Sequence, residues 1–539
     1  MKCLFKPSAR TLAGILSTVW LASTCAAQTH TAWVQRYGGP GTFYNATPIA
    51  VDGNGDAYVS RNNSVGEVGQ QGGTTLVKYK SSGRMAWRTT FTDSTAPLFL
   101  TWDLDANKDG SVVSCGGFAG GYDSLFGLFV ARFDSSGTQQ WALKYDGPAG
   151  SRGAGGWRVA YDGFGGIYAV GVTIRENNHD CLVLRLDTTG ALLWTRMYDG
   201  PGHSFDQPTD LVVGSDGSIY ISLISRGLTS LDYCLLKYSP SGDLEYETRY
   251  DGPSGSADQP SRVALDDSGN AYMTGGSGSN FATLKIDPHG RMLWVQRHFH
   301  PGNTFGDATG LGLSQDGDIY VTGNSGGNGK DYDILILCYS PEGTQRWEYR
   351  YDSRPDQSDV PWDLVALPQG GCIVVGESYG ADGYSAVGLH MDAEGRLLWA
   401  DDYTGPPNGR TCFFAVAFSP PNFAYSSGIS GNDNVVLRYD IGGASVPRQF
   451  ALGQNYPNPF DGGTTIPYNL ISEGNISLSI FNILGQELVR ESLGRQGSGN
   501  HQYHWNGFND QGRFVPSGVY LVRLRMNGDE EGGKMVLLK

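Results

Sequence analysis

Charge is scarce in this chain, and its cysteines are scattered. Only 17% of the 539 residues are Asp, Glu, Lys or Arg, and no run of Lys and Arg forms a basic block. With a formal net charge of −15 and a pI near 5.0, the chain offers no broad electrostatic attraction for nucleic acid or an anionic membrane. Beyond the first residues no apolar segment is long enough to span a bilayer, so no transmembrane segment is expected. No two cysteines are adjacent and no C-x-x-C pair occurs. Cys115, Cys181, Cys234, Cys338, Cys372 and Cys412 fall singly within apolar runs and read as buried thiols rather than a disulfide framework.

Glycine and aromatic residues are plentiful. There are 78 glycines, about twice the usual share of near 7%, and 12% of the residues are Phe, Trp or Tyr. Gly-rich turns between short aromatic and β-branched runs point to an all-β protein. Residues 1–27 read as an export signal, with Lys2, Lys6 and Arg10 before the apolar Leu12–Ala22 and a cleavage site at Cys25-Ala26-Ala27. Gln28 would then be the first mature residue. Acylation at Cys25 is the alternative, though Thr24 fits it poorly.

The stretch LRLDTTGALLWTRMYDGPG (Leu184–Gly202) returns with variations along the chain. Its aromatic falls at Trp33, Trp87, Trp141, Trp194, Tyr246, Trp294, Trp347 and Trp399, at intervals of 54, 54, 53, 52, 48, 53 and 52 residues. Each interval holds four apolar runs, too short and too Gly-bounded to be helices. The second run recurs eight times, from Ala57–Ser60 to Ala424–Gly428. The series begins with an aromatic strand, Ala32–Tyr37, and ends with Val435–Tyr439 and no aromatic strand after it. The N-terminal strand can therefore complete the last sheet, leaving no open edge. This predicts an eight-bladed β-propeller of four-stranded blades over residues 28–443. A cofactor needs one box, whereas a residue serving every blade interface should appear once per blade. The repeated Trp is therefore read as a clasp between blades, and the Gly of D-x-x-G as the positive-φ residue of the turn before it.

LDTTGALLW resembles the tryptophan-docking motif of quinoprotein-type propellers. The wider pattern, with Tyr-Asp-Gly-Pro after the Trp and Asp180, Asp232 or Asp333 before the third run, resembles the SBBP-type β-propeller repeats of exported bacterial proteins. That family is named for seven blades, and this chain counts eight. Quinoprotein dehydrogenases carry adjacent cysteines against their cofactor, and their lack here argues against a bound quinone.

After Asp440-Ile441-Gly442-Gly443 the repeat stops, and a linker at 444–450 leads into residues 451–539. Alternating runs such as Ile476–Phe481 and Val519–Leu524 predict a small antiparallel sandwich. Asn455-Tyr456-Pro457-Asn458-Pro459-Phe460 is followed in order by Asn482-Ile483-Leu484-Gly485-Gln486, Trp505-Asn506-Gly507, Gly518-Val519-Tyr520 and the terminal Lys534–Lys539. These motifs closely resemble the type A C-terminal sorting domain of the type IX secretion system, which has the FlgD Ig-like fold. Asp461 departs from the family's usual Asn. The resemblance implies a Gram-negative, Bacteroidota-like source, a secretion machinery as partner, and a protein released or held at the cell surface. A plain Ig-like accessory domain is the alternative.

Chemistry-bearing motifs are weak. Gly323–Gly327 and Gly376–Gly380 match G-x-S-x-G but lack the strand–turn–helix setting of a nucleophile elbow, and read as loop residues of the repeat. Asp105, Asn107 and Asp109 have the alternating oxygens of a calcium loop, with a shorter version at Asp52, Asn54 and Asp56. Both occupy hairpin turns, where Asp, Asn and Gly are expected anyway, and the twelfth position of the first is Gly116 instead of Glu. His298 and His300 would share one side of a strand, with no third ligand near in sequence. Long loops at 38–48, 199–210 and 352–363 should share a face with those at 174–180 and 324–333, where Tyr, Trp, Asp and Asn could hold a surface glycan or protein. The expected function is an exported, non-catalytic binding or scaffolding propeller without a cofactor other than a calcium ion. The competing class is an exported hydrolase or lyase acting on an extracellular polymer.

Overall fold

The computed structural model describes residues 31–38, 47–63, 73–92, 98–119, 126–175, 178–299, 306–327, 331–353, 357–380, 383–406, 409–441, 450–452, 455, 457–470, 474–483, 485–497, 499–526 and 529–538. The expected signal segment and most of the 444–450 linker lie outside them. No α-helix occurs among the described residues, and antiparallel strands make up nearly all of the regular structure.

Residues 31–441 form, among the described residues, eight four-stranded antiparallel sheets of propeller-like blade form. Numbered along the chain, their first strands are Ile49–Val51, Leu98–Ala106, Gly153–Tyr161, Asp206–Val213, Asp258–Leu265, Gly306–Leu313, Ser358–Ala366 and Thr411–Ser419. Sheet 3 shows the pattern: Gly153–Tyr161, Gly166–Arg175, Asn178–Asp187 and Leu192–Tyr198 follow one another as a meander. Sheet 8 is the exception. Its fourth strand is Thr31–Gly38 from the other end of the chain, which pairs with Asp433–Asp440. First strands of successive sheets are neighbours throughout, and Thr411–Ser419 returns to Ile49–Val51.

The apolar cores lie between sheets. Val113, Leu128 and Val130 of sheet 2 pack on Ile167, Leu182 and Leu184 of sheet 3. Tyr37 and Val436 of sheet 8 meet Val59 and Val77 of sheet 1. Interior strands are buried on both faces, as Gly73–Tyr79 is along its whole length, which explains why they read as continuous apolar runs rather than alternating ones. All six described cysteines are free and buried.

The second strands extend beyond their apolar runs. Ile219–Leu223 continues to Arg226, because polar residues past the run still pair, as Ser225 does with Asp232. The same extension corrects the reading of the two G-x-S-x-G matches. Both lie inside strands, Ile319–Gly327 and Cys372–Gly380, and not in loops.

The C-terminal module has two sheets. One holds Phe450–Leu452, Thr464–Leu470 and Gly499–Trp505. The other orders Glu487–Gln496, Gly474–Asn482, Gly518–Met526 and Asp529–Leu537. Ile466, Leu478, Ile480, Trp505 and Leu524 fill the space between them.

Candidate functional site

Each repeated tryptophan reaches into the next sheet. Its Nε1 donates to a turn carbonyl there: Trp33 to Ser81 at 3.0 Å, Trp87 to Ser135 at 2.9 Å, Trp141 to Thr188 at 2.9 Å. Trp194 donates to Pro240 at 3.1 Å, Trp294 to Pro341 at 3.2 Å and Trp347 to Ala393 at 2.8 Å. Two residues after each carbonyl stands a turn glycine, such as Gly137 against Trp87 or Gly395 against Trp347, whose missing side chain makes room for the indole. Trp33 belongs to sheet 8 and docks on sheet 1, so the same contact spans the two ends of the series. Trp399 packs instead against His390 and Tyr439, with ring centres 5.4 and 5.0 Å away. Tyr246 lies against Gly290 in the same way, but its buried hydroxyl has no hydrogen-bond partner.

A second repeated residue was missed in the sequence. A Tyr near the start of six of the eight second strands packs on that sheet's fourth-strand aromatic, as in Tyr58–Trp87 and Tyr168–Trp194, while sheets 2 and 7 have Val113 and Ile373 there. Its hydroxyl also reaches the next sheet: Tyr58 donates to the Gly110 carbonyl at 2.8 Å, Tyr168 to Gly217 at 3.0 Å, and Tyr425 of sheet 8 to Gly55 of sheet 1 at 2.8 Å. Its signal was visible in the recurring dipeptides of AYVS, IYAV, IYIS and IYVT.

The first strands converge on a charged inner face. Seven of them slip register by one residue at equivalent places, and the residues after the slip are Asp103, Arg158, Asp210, Arg262, Gly310, Asp363 and Ala415. Bulges re-aim side chains, and here they place acid and base alternately from Asp103 to Arg262, with Asp363 as the third acid beyond Gly310. Arg158 meets Asp210 at 3.3 Å, and Arg262 reaches past sheet 6 to Asp363 at 3.2 Å. Three of the acids also bind the next strand's backbone: Val159 N donates to Asp103 at 2.9 Å, Val263 N to Asp210 at 3.1 Å and Val416 N to Asp363 at 3.0 Å. Burial pushes the Asp103 carboxyl up to about 7, against the opposing pull of Arg158. Aromatic pairs flank this ring, with Trp102 stacked on Trp157 and Trp362 edge-on to Phe414.

Asp105 accepts from Tyr161 N and Ala106 N, and Asp109 from the amide and hydroxyl of Ser111. Asn107 accepts from Lys108 N. These oxygens thus serve the hairpin and its neighbour. The shorter loop already holds a cation: the Lys78 ammonium lies 3.0 Å from Asp52 and 3.1 Å from Asp56. His298 lies at the end of Met292–His298, 3.8 Å from the Glu348 carboxylate, and His300 is outside the described residues.

In the C-terminal module the motif residues build the fold. Phe460 and Trp505 are buried with ring centres 5.6 Å apart, and Tyr520 packs on Trp505. Asn455 donates to the Pro457 carbonyl and the Thr464 hydroxyl. Asn458 accepts from Val536 N at 2.8 Å, fastening the start of the module to its last strand. Pro457 and Pro459 are exposed, Gly485 closes a turn with Asn482, Gly518 opens a strand, and Tyr456 lies outside the described residues.

Residues 458–530 match the FlgD Ig-like domain. No curated protein matches the chain significantly. Among solved structures, the chain is similar to a protein from Lactobacillus plantarum at 16% identity, covering 66% of this chain and 98% of that one, with a TM-score of 0.44. It is similar at 15% identity to PorZ, an essential surface component of the type-IX secretion system of Porphyromonas gingivalis, over 92% of this chain and 70% of that one, with a TM-score of 0.29. Puromycin hydrolase aligns at 11% identity over 74% and 62%, with a TM-score of 0.41.

Proposed function

We propose that the eight sheets are the blades of one closed propeller, which binds or scaffolds outside the cell without catalysis and is delivered there by its C-terminal sorting domain. The observation that carries the non-catalytic reading is the bonding of the inner acids. Asp103, Asp210 and Asp363 each accept from a backbone amide of the next sheet's first strand through one oxygen, a use that supports a structural role for these carboxyls. The delivery reading rests on the FlgD Ig-like match and the ordered motifs from Asn455 to Tyr520. Asp103 favours the hydrolase or lyase reading, because a carboxyl raised by burial to about 7 suits a general acid, and Asp307, raised to about 6, points the same way.

One experiment addresses both parts. The chain is expressed in a Bacteroidota host with a working type IX system, with and without residues 451–539, and fractions are blotted. The full chain is expected at the surface or in the medium, and the truncated chain in the periplasm; surface arrival of the truncated chain would overturn delivery. The purified full chain is then tested against soluble extracellular polysaccharides for binding and for release of new chain ends. Binding without release is expected, and release abolished by Asp103→Asn would establish the enzyme.

A further inference from the structure

Three stretches of the repeat, two of them consecutive and the third two sheets further on, carry the same three aspartates. One lies near the start of the third strand, one just after the fourth, and one near the start of the next sheet's first strand. They are Asp180, Asp199 and Asp206; Asp232, Asp251 and Asp258; and Asp333, Asp352 and Asp359. In the first and last sets the carboxylate oxygens lie within 4.8 Å of one another. The sets differ one residue before the fourth-strand Tyr, where Arg249 and Arg350 stand in the later two and Met197 in the first.

Those arginines each pair with the third-strand acid of their set. Arg249 Nη2 lies 3.1 Å from Asp232 and also donates to the Ser225 carbonyl; Arg350 Nε donates to Asp333, and its Nη2 to the Ser325 carbonyl. Met197 offers no charge, and Asp180 is left unbalanced. Its side chain is 1% exposed, and Oδ1 has no hydrogen-bond partner. Asn178, whose Nδ2 donates to Asp199 at 3.3 Å, keeps an equally buried, unpartnered Oδ1. Arg175 Nη2 donates to the Met197 sulfur, its buried Nε has no hydrogen-bond partner, and together with His179 it acts on Asp180 only through space; His203 Nδ1 bonds Asp199 at the exposed rim. Asp206 accepts from Gly200 N and the Ser225 hydroxyl.

A carboxylate buried without a partner is strongly disfavoured unless it takes a proton or a cation joins it. We propose that a calcium ion binds at Asp180, Asp199 and Asp206, in the place that an arginine fills in the two later sets. The donors are hard oxygens, and two oxygens bound at 2.3–2.6 Å to one ion stand at most about 5 Å apart, as these do. Asp180 and Asp199 belong to sheet 3 and its exit, and Asp206 opens sheet 4, so the ion ties successive sheets.

The test is calorimetric titration of the full chain, stripped with chelator, with calcium chloride. One ion per chain is expected, with magnesium at least tenfold weaker. Asp180→Asn and Asp199→Asn should each weaken calcium at least tenfold. Met197→Arg should abolish it while holding the melting temperature of the calcium-free protein, because the guanidinium replaces the ion. Asp109→Asn should leave binding unchanged. No calcium binding by the wild type, equal magnesium affinity, binding retained in Met197→Arg, or loss in Asp109→Asn would each overturn the assignment. Should the buried variants fail to fold by circular dichroism, the exposed Asp199→Asn decides it: tenfold weakening supports the site and unchanged affinity overturns it.

Discussion

Trp194 Nε1 donates to the Pro240 carbonyl of the following sheet at 3.1 Å, while a methyl group on Gly242 would meet the Trp194 ring at 2.9 Å. The two contacts act together, because the turn presents its carbonyl only with glycine at φ +84°. Trp194→Phe should lower stability by about 1 kcal/mol for the lost hydrogen bond. Gly242→Ala should cost about 1–2 kcal/mol for the left-handed backbone alone, and more from the displaced ring. Urea unfolding of both variants and the double mutant checks this, with the double mutant expected to fall short of the sum because the two residues share one contact.

Tyr246 is the exception at the same position. Its hydroxyl is buried without a partner, while the indoles of Trp33, Trp87, Trp141, Trp194, Trp294 and Trp347 each reach a carbonyl two residues before the turn glycine. For Gly290 that carbonyl belongs to Pro288. Tyr246→Trp should therefore remove an unsatisfied hydroxyl and add a hydrogen bond, raising stability by about 1 kcal/mol or more. A thermal melt that fell would show that this interface lacks room for an indole.

Asp103 gives the ring a pH dependence of definite sign. Its folded carboxyl titrates near 7, raised by burial, against an ordinary value near 4 in the unfolded chain. The folded state therefore holds a proton that the unfolded state has released, and stability falls as the pH rises from about 4 to about 7. Asp307, raised by burial to about 6, adds to the same slope. Asp103→Asn keeps an oxygen for the Val159 amide and should flatten part of the decline. Unfolding free energies measured from pH 4 to 8 check it, and an unchanged slope would show that Asp103 is ionised throughout.

The repeat was legible because each sheet must solve the same interface, so the Trp and the turn Gly recur at nearly constant spacing from Trp33 to Trp399. The completion of sheet 8 by Thr31–Gly38 was legible for the same reason, as an unmatched strand at each end. Strand ends were not, because Ser225 and Ser325 extend the hairpins by backbone pairing that no apolar pattern marks. The inner charged ring was hidden as well. Asp103, Arg158, Asp210 and Arg262 come together through bulges, and a bulge shifts the facing of every residue beyond it without changing composition. Asp199 and Asp206 were legible only as residues of a long loop at 199–210, since their chemistry depends on Met197 standing where Arg249 and Arg350 stand elsewhere.

Lys78 makes the last prediction, and it is the most severe. Its ammonium lies between the Asp52 and Asp56 carboxylates, with all three side chains at most 4% exposed. Burial alone would push the Asp52 carboxyl up, but the bonds from Lys78, the Asp56 and Asn54 amides and Tyr58 outweigh it and hold the group below its ordinary value. The stabilisation is therefore complete above pH 4 and is lost as the pH falls through the depressed folded value. Lys78→Met removes the cation beside buried Asp52, while Asp56 keeps the Lys80 ammonium at 2.7 Å, and the unpaired Asp52 should cost about 3–5 kcal/mol at neutral pH. Lowering the pH then protonates Asp52 in the mutant before the wild type, so the difference between the two proteins should shrink toward pH 4. Paired unfolding curves at pH 7 and pH 4 test this, and a constant difference would mean that Lys78 acts through packing rather than charge.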